Sequence, residues 1–119
     1  MAKTLSFSDE SSQSVKHGDT TTVFDLVCGD DNVPTDLSDV TGITIKIGSD
    51  LGKVSDKEID LTTLDDPETG VVKLKFDTDL MTNLTVGKYQ LEVWVTDSNG
   101  TSIYPSDGTL QFQINSSLE

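Results

Sequence analysis

Residues 87–115 constrain the fold more than any other part of the chain. From Gly87 to Asp97 the sequence alternates, with Tyr89, Leu91, Val93 and Val95 on one side and Gln90, Glu92 and Trp94 on the other. That is the period-two signature of a strand with one buried face. Asn99-Gly100 follows and predicts a type I′ turn, whose two central residues both need positive φ. Thr101 to Tyr104 then returns along the first strand. Pro105 cannot donate to a ladder, so Pro105-Ser-Asp-Gly108 predicts a bulge or kink before Leu110, Phe112 and Ile114 resume inward alternation. A hairpin of this length is stable only when another layer covers its apolar side.

The upstream chain supplies that layer. Residues 20–28 form a β-branched run that places Phe24 and Leu26 in the core with Cys28 in phase, and residues 42–48 put Ile43, Ile45 and Ile47 inward. Residues 53–59 and 70–76 add two more strands, the latter with Val72, Leu74 and Phe76 on one side. A short edge strand is expected at 4–7, followed by loop to residue 19. Gly29-Asp-Asp-Asn-Val-Pro-Thr-Asp is a chain reversal. Asp77-Thr-Asp-Leu-Met-Thr-Asn-Leu supports one helical turn and no more. The expected fold is all-β: an immunoglobulin-like β-sandwich of seven or eight antiparallel strands with at most one short helical turn. Gly87-Lys-Tyr-Gln-Leu, entered from that turn, has the spacing of a tyrosine corner, with Gly87 and Tyr89 as its structural residues. Leu91 then stands where an antibody domain carries its second cysteine.

At 119 residues the chain is one domain, expected over 1–117 with a partly irregular segment at 1–19. Leu118-Glu119 reads as a cloning scar, which predicts a natural chain running on past Ser117. The opening residues lack the apolar stretch of a secretory signal, and Cys28 is the only cysteine, so the expected setting is a reducing cytoplasm. Twenty-one acidic residues against eight basic ones give a net charge of −13. A phosphate backbone or an anionic membrane would be repelled, so neither nucleic acid nor membrane is an expected partner. The acidity serves solubility or attraction to a basic protein surface.

No residue set predicts catalysis. His17 is the sole histidine, in a polar loop, and is expected at the surface; Cys28 is expected as a small buried hydrophobe rather than a nucleophile. Asp30-Asp31, Asp65-Asp66 and Asp97 lie in hydrophilic turns, where carboxylates stay ionised instead of acting as the raised-pKa acid of a glycosidase. Asp97-Ser-Asn-Gly lacks the rest of a calcium loop. The expectation is therefore no enzyme, no cofactor and no metal. Trp94 and Tyr104 are the aromatics expected to face outward, and with Pro105 they form a candidate protein interface. The competing expectation is that the N-terminal segment covers Trp94.

The chain from Thr20 to Ile114 resembles the N-terminal immunoglobulin-like domain of siphophage upper baseplate proteins of the BppU type. The resemblance is carried, in order, by Val23-Phe-Asp-Leu, Asp36-Leu-Ser-Asp-Val-Thr-Gly-Ile-Thr-Ile-Lys-Ile, Asp66-Pro-Glu-Thr-Gly-Val-Val, Gly87-Lys-Tyr-Gln-Leu-Glu and Ile103-Tyr-Pro-Ser-Asp-Gly-Thr-Leu-Gln-Phe-Gln-Ile. It implies a virion structural module that is assembled in the bacterial cytoplasm, docks on the core of the tail baseplate and supports receptor-binding proteins. Its partners would be other baseplate or tail proteins, with self-association in a longer protein, and the family offers no catalytic residues to transfer. The alternative is a bacterial cell-surface immunoglobulin-like or carbohydrate-binding module, favoured by Trp94, Tyr104 and the acidic loops.

Overall fold

Two sheets face each other across one core in the computed structural model, which describes residues 3–8, 14–31, 33–49, 52–64, 67–82, 84–106 and 108–116. The turn acids Asp65-Asp66 and the closing Leu118-Glu119 lie outside these residues. In chain order the strands are β1 (Lys3–Phe7), β2 (Ser14–Lys16), β3 (Val23–Asp30), β4 (Val33–Pro34), β5 (Gly42–Ser49), β6 (Gly52–Ile59), β7 (Val71–Lys75), β8 (Gly87–Asp97), β9 (Gly100–Tyr104) and β10 (Leu110–Asn115). One short helix, α1 (Thr78–Thr82), and two single 3₁₀ turns at Leu61–Thr63 and Pro67–Thr69 complete the described elements.

The smaller sheet is built on β3, with β1 along one side and β7 followed by β4 along the other. The larger sheet runs β2-β10-β8-β5-β6, and β9 extends the β10 side of β8. This strand order is that of an immunoglobulin-like sandwich, in which a sheet centred on the second long strand packs on a sheet made from the middle and last hairpins. Two departures from expectation are the very short β2 and β4. The stretch expected as loop before residue 19 contains β2, which pairs with β10 in parallel, Val15 beside Ile114. Three residues with a single buried side chain carry no readable period, so only tertiary pairing reveals this strand.

Alternation explains the core. Phe24, Leu26 and Cys28 of β3 and Val72 and Leu74 of β7 face Ile43, Ile45 and Ile47 of β5 and Leu91, Val93 and Val95 of β8, and all are buried. Phe24 is the hub of an aromatic group. Its ring meets Phe7 at 5.5 Å, Phe76 at 4.8 Å and Phe112 at 5.5 Å between centroids, each edge to face, and Tyr89 stacks on Phe112 at 5.7 Å. Such pairs add about 0.5–1.5 kcal/mol each beyond area burial. Leu80, Met81 and Leu84 of the α1 segment close one end of the core.

Asp77 starts that segment, its Oδ1 accepting the Leu80 amide at 2.9 Å while Oδ2 takes a hydrogen bond from Lys57 Nζ on β6. Gly70 sits where β7 meets β4, at φ 72°; a Cβ there would stand 2.4 Å from the Cys28 carbonyl oxygen. Only glycine satisfies both the left-handed backbone and that approach.

The hairpin turn differs from the type I′ expectation. Asp97 lies opposite Gly100, so the loop residues are Ser98 and Asn99, and among described non-glycine residues only Asp31 has positive φ. The reason is local: the Asp97 carboxylate accepts the Asn99 amide at 2.8 Å, an Asx turn that moves the reversal one residue earlier and leaves Gly100 alone at positive φ.

Candidate functional site

Gly87 and Tyr89 open β8, just after the α1 segment, where the E–F corner of such a sandwich would be. The Tyr89 hydroxyl donates to the Thr85 carbonyl at 2.9 Å and accepts from the Thr85 amide at 2.9 Å, which is the bonding pattern of a tyrosine corner. Tyr104 is not at the surface. It is 4% exposed and pairs across the hairpin with Val93, and its hydroxyl reaches Thr35 Oγ1 at 3.4 Å; burial raises its pKa. The structure thus removes Tyr104 from the exposed interface expected of it. The register was the available signal, since a residue opposite an inward valine must itself face inward.

Pro105 follows Tyr104 through a cis peptide and is half-buried beside Ser106, whose amide donates to the Lys3 carbonyl on β1 at 3.0 Å. His17 also departs from expectation: it is half-buried, with Nε2 donating to the Leu84 carbonyl at 3.0 Å and its amide to Asn115 at 2.8 Å. It ties the end of β2 to the α1 corner. Cys28 is fully buried, and desolvation pushes its thiol up to about 12, far from a reactive thiolate.

Trp94 is where outward phase puts it, on the outer face of the larger sheet. Among the described residues the N-terminal strands lie elsewhere, β1 on the smaller sheet and β2 at the far edge beyond β10. The indole is half-buried by its own neighbours: Lys46 Nζ stands 3.7 Å from the ring centroid, and Nε1 donates to Glu92 Oε1 at 3.2 Å. An exposed cation–π contact of this kind is worth about 0.5–1 kcal/mol. It orients the ring without sealing it.

Beside Trp94 the face opens into a depression of about 390 Å³ floored by Ile47, Gly48 and Leu91 and walled by Lys46, Ser49, Gln90 and Thr109. Two sequence features make it. Gly48 falls on the outward phase of β5, opposite Gln90, so no side chain fills that position. A register shift between Ile47 and Gly48 then bends the end of β5 and brings the Ser49 carbonyl to Gln90 Nε2 at 3.4 Å. Thr109 Oγ1 donates to Gln90 Oε1 at 2.7 Å and holds the amide in place. The depression continues across the sheet. A second hollow shares Ser49 and Gln90 with the first, and a third shares Lys88 and Gln111 with the second and ends at Ser14 and Gln113. Together they form one trough across β5, β8, β10 and β2.

Four carboxylates outside its lining are held by local hydrogen bonds. Asp19 is held below its ordinary pKa by the Thr21 amide and the Thr22 and Thr21 hydroxyls, Asp36 by the Ser38 hydroxyl and amide, Asp60 by the Thr62 hydroxyl and amide, and Asp77 by Lys57 and the Leu80 amide. Each is an ionised turn or cap residue. Among the described residues no group of three His, Cys, Asp or Glu side chains is arranged to hold a metal, and no helix is long and apolar enough to cross a membrane.

Fold and face together define the class, an immunoglobulin-like β-sandwich with a shallow trough on the outside of its larger sheet. Compared with known proteins, the chain matches no family model, and no curated protein matches it.

Proposed function

We propose that this domain is a non-catalytic structural module of a phage tail baseplate, which docks an upper baseplate protein onto the baseplate core and supports receptor-binding proteins during host attachment. The observation that carries the reading is the distribution of the resembling segments. Val23 to Leu26 lies in β3 of the smaller sheet, Gly42 to Ile47 forms most of β5, Gly70 to Val72 opens β7, Gly87 to Glu92 opens β8, and Ile103 to Ile114 runs from β9 through β10. The likeness therefore draws on both sheets and on the broken return strand, where a chance match to one hairpin would not. Its partners are other baseplate or tail proteins, and its place is the virion.

Antibody labelling of purified phage tails in negative-stain microscopy tests this. Label at the tail tip is expected. Tails that carry none there, from a phage whose genome encodes the chain, would remove the baseplate assignment.

A further inference from the structure

The outer trough has a chemistry that the structural role does not require. We infer that it is a binding site for a linear glycan chain, lying across β5, β8 and β10 with one sugar ring stacked on Trp94.

Three observations converge. First, the hollows stand in a row: the middle one shares Ser49 and Gln90 with the first and Lys88 and Gln111 with the third, and the row crosses four strands. With strands about 4.8 Å apart this is a run of roughly 15 Å, long enough for several linked rings and too long for a single sugar. Second, its polar groups are the kind that match hydroxyls. Gln90, Gln111 and Gln113 each offer donors and an acceptor on one side chain, and Thr109 fixes the first of them at 2.7 Å. Third, the charge is out of character for the chain. The molecule carries −13, yet the described lining contains two lysines, no aspartate and one glutamate, and that glutamate is engaged with the indole N–H. An anionic chain meets two ammonium groups there, with Asp56 opposite Lys46 at the margin, and a neutral chain is indifferent to the charge.

Lys46 stands over the indole where a sugar ring would stack. An incoming ring displaces one exposed cation–π contact and frees the ammonium to donate to ligand oxygens. The floor is left open by Gly48, which does not use positive φ, so a side chain there carries no left-handed backbone strain. That provides a clean way to close the site.

The test is an NMR titration of the isolated chain with cellohexaose and chitohexaose as neutral probes and with a galacturonic acid hexamer as the anionic one, following the Trp94 indole and the glutamine side-chain amides. Binding on the order of 1 mM or tighter is expected for at least one probe, confined to these signals. Trp94→Ala, Gln111→Ala and Gly48→Val should each weaken it by about tenfold or more, while Val33→Ser on the other sheet leaves it unchanged. Unchanged melting temperatures in Gln111→Ala and Gly48→Val separate loss of binding from loss of fold. The inference is overturned if no probe shifts these signals, or if the three variants bind as well as the parent. It is also overturned if Trp94 is shielded from a fluorescence quencher in assembled tails but not in the free chain, since the face then belongs to a protein neighbour. Glycan binding by the free chain together with unlabelled tails would instead leave the site standing and remove only the baseplate role.

Discussion

The inner and outer faces of β8 come from the same eleven residues and differ in what completes them. Inside, Tyr89, Leu91, Val93 and Val95 are between 0% and 8% exposed, covered by the opposite sheet and the α1 corner. Outside, Gln90, Glu92 and Trp94 are half-buried, held by one or two side-chain contacts each: Gln90 by Thr109 and the Ser49 carbonyl, Glu92 by the indole, and Trp94 by Glu92 and Lys46. The inner face has no contact left to make, so a change there registers as stability. The outer face holds its groups in place while leaving them partly free, and a change there should register in what the surface binds.

The largest effect that would sharpen this contrast is Phe24→Ala. The ring is fully buried and contacts three other aromatics edge to face, and its loss should cost about 3–5 kcal/mol in urea unfolding. A cost under about 1.5 kcal/mol would mean that the aromatic group can collapse around the void and does not organise the core. Tyr89→Phe keeps the ring stacked on Phe112 and removes only the hydroxyl that both donates to and accepts from Thr85; about 1–2 kcal/mol should be lost, with the fold retained. Wild-type stability in that variant would show the corner to be held by packing alone.

Acid gives an intermediate test. Asp19, Asp36, Asp60 and Asp77 all have lowered pKa values when folded, so the unfolded chain takes up protons first as pH falls. Their contribution is complete above the ordinary carboxylate value of about 4 and is lost as pH drops through the folded values. The melting temperature should decline below about pH 4, and Asp77→Asn should make that decline shallower. A decline of the same steepness in the variant would exclude Asp77 as a contributor. The smallest effect is expected outside: Trp94→Ala should change unfolding free energy by no more than about 1 kcal/mol, because its specific contacts are one exposed cation–π pair and one long hydrogen bond to Glu92, both at the surface. A loss as large as that of Phe24→Ala would erase the distinction between the two faces.

What the sequence made legible follows the same division. The inward phases of β3, β5, β7, β8 and β10 were readable because each repeats apolar and polar residues over several positions, and one buried face forces the register. Tyr104 was readable in principle, since either hairpin register sets it opposite an inward valine, although Pro105 beside it ends the alternation that would mark its face. β2 was not readable, being three residues whose only instruction is to pair with β10. The trough was half readable. Outward Trp94 follows from phase, yet its extension to Gln111 depends on how the return strand re-enters the sheet. Tyr104 lies opposite Val93 and Leu110 opposite Leu91, so six steps of the return strand match two of β8. No local rule sets the size of that excursion, and it decides which β10 residues stand beside Gln90.

The parallel pairing of β2 with β10 has a mechanical consequence. The two strands come from opposite ends of the chain. Tension between those ends drags β2 backward along its axis and β10 forward along its own, and the rungs from Ser14 to Lys16, with the His17 amide on Asn115, take the load in shear. Rungs loaded side by side must yield together, whereas those of a peeled hairpin yield one after another. One of the shortest strands in the molecule is therefore placed to govern how the domain answers force.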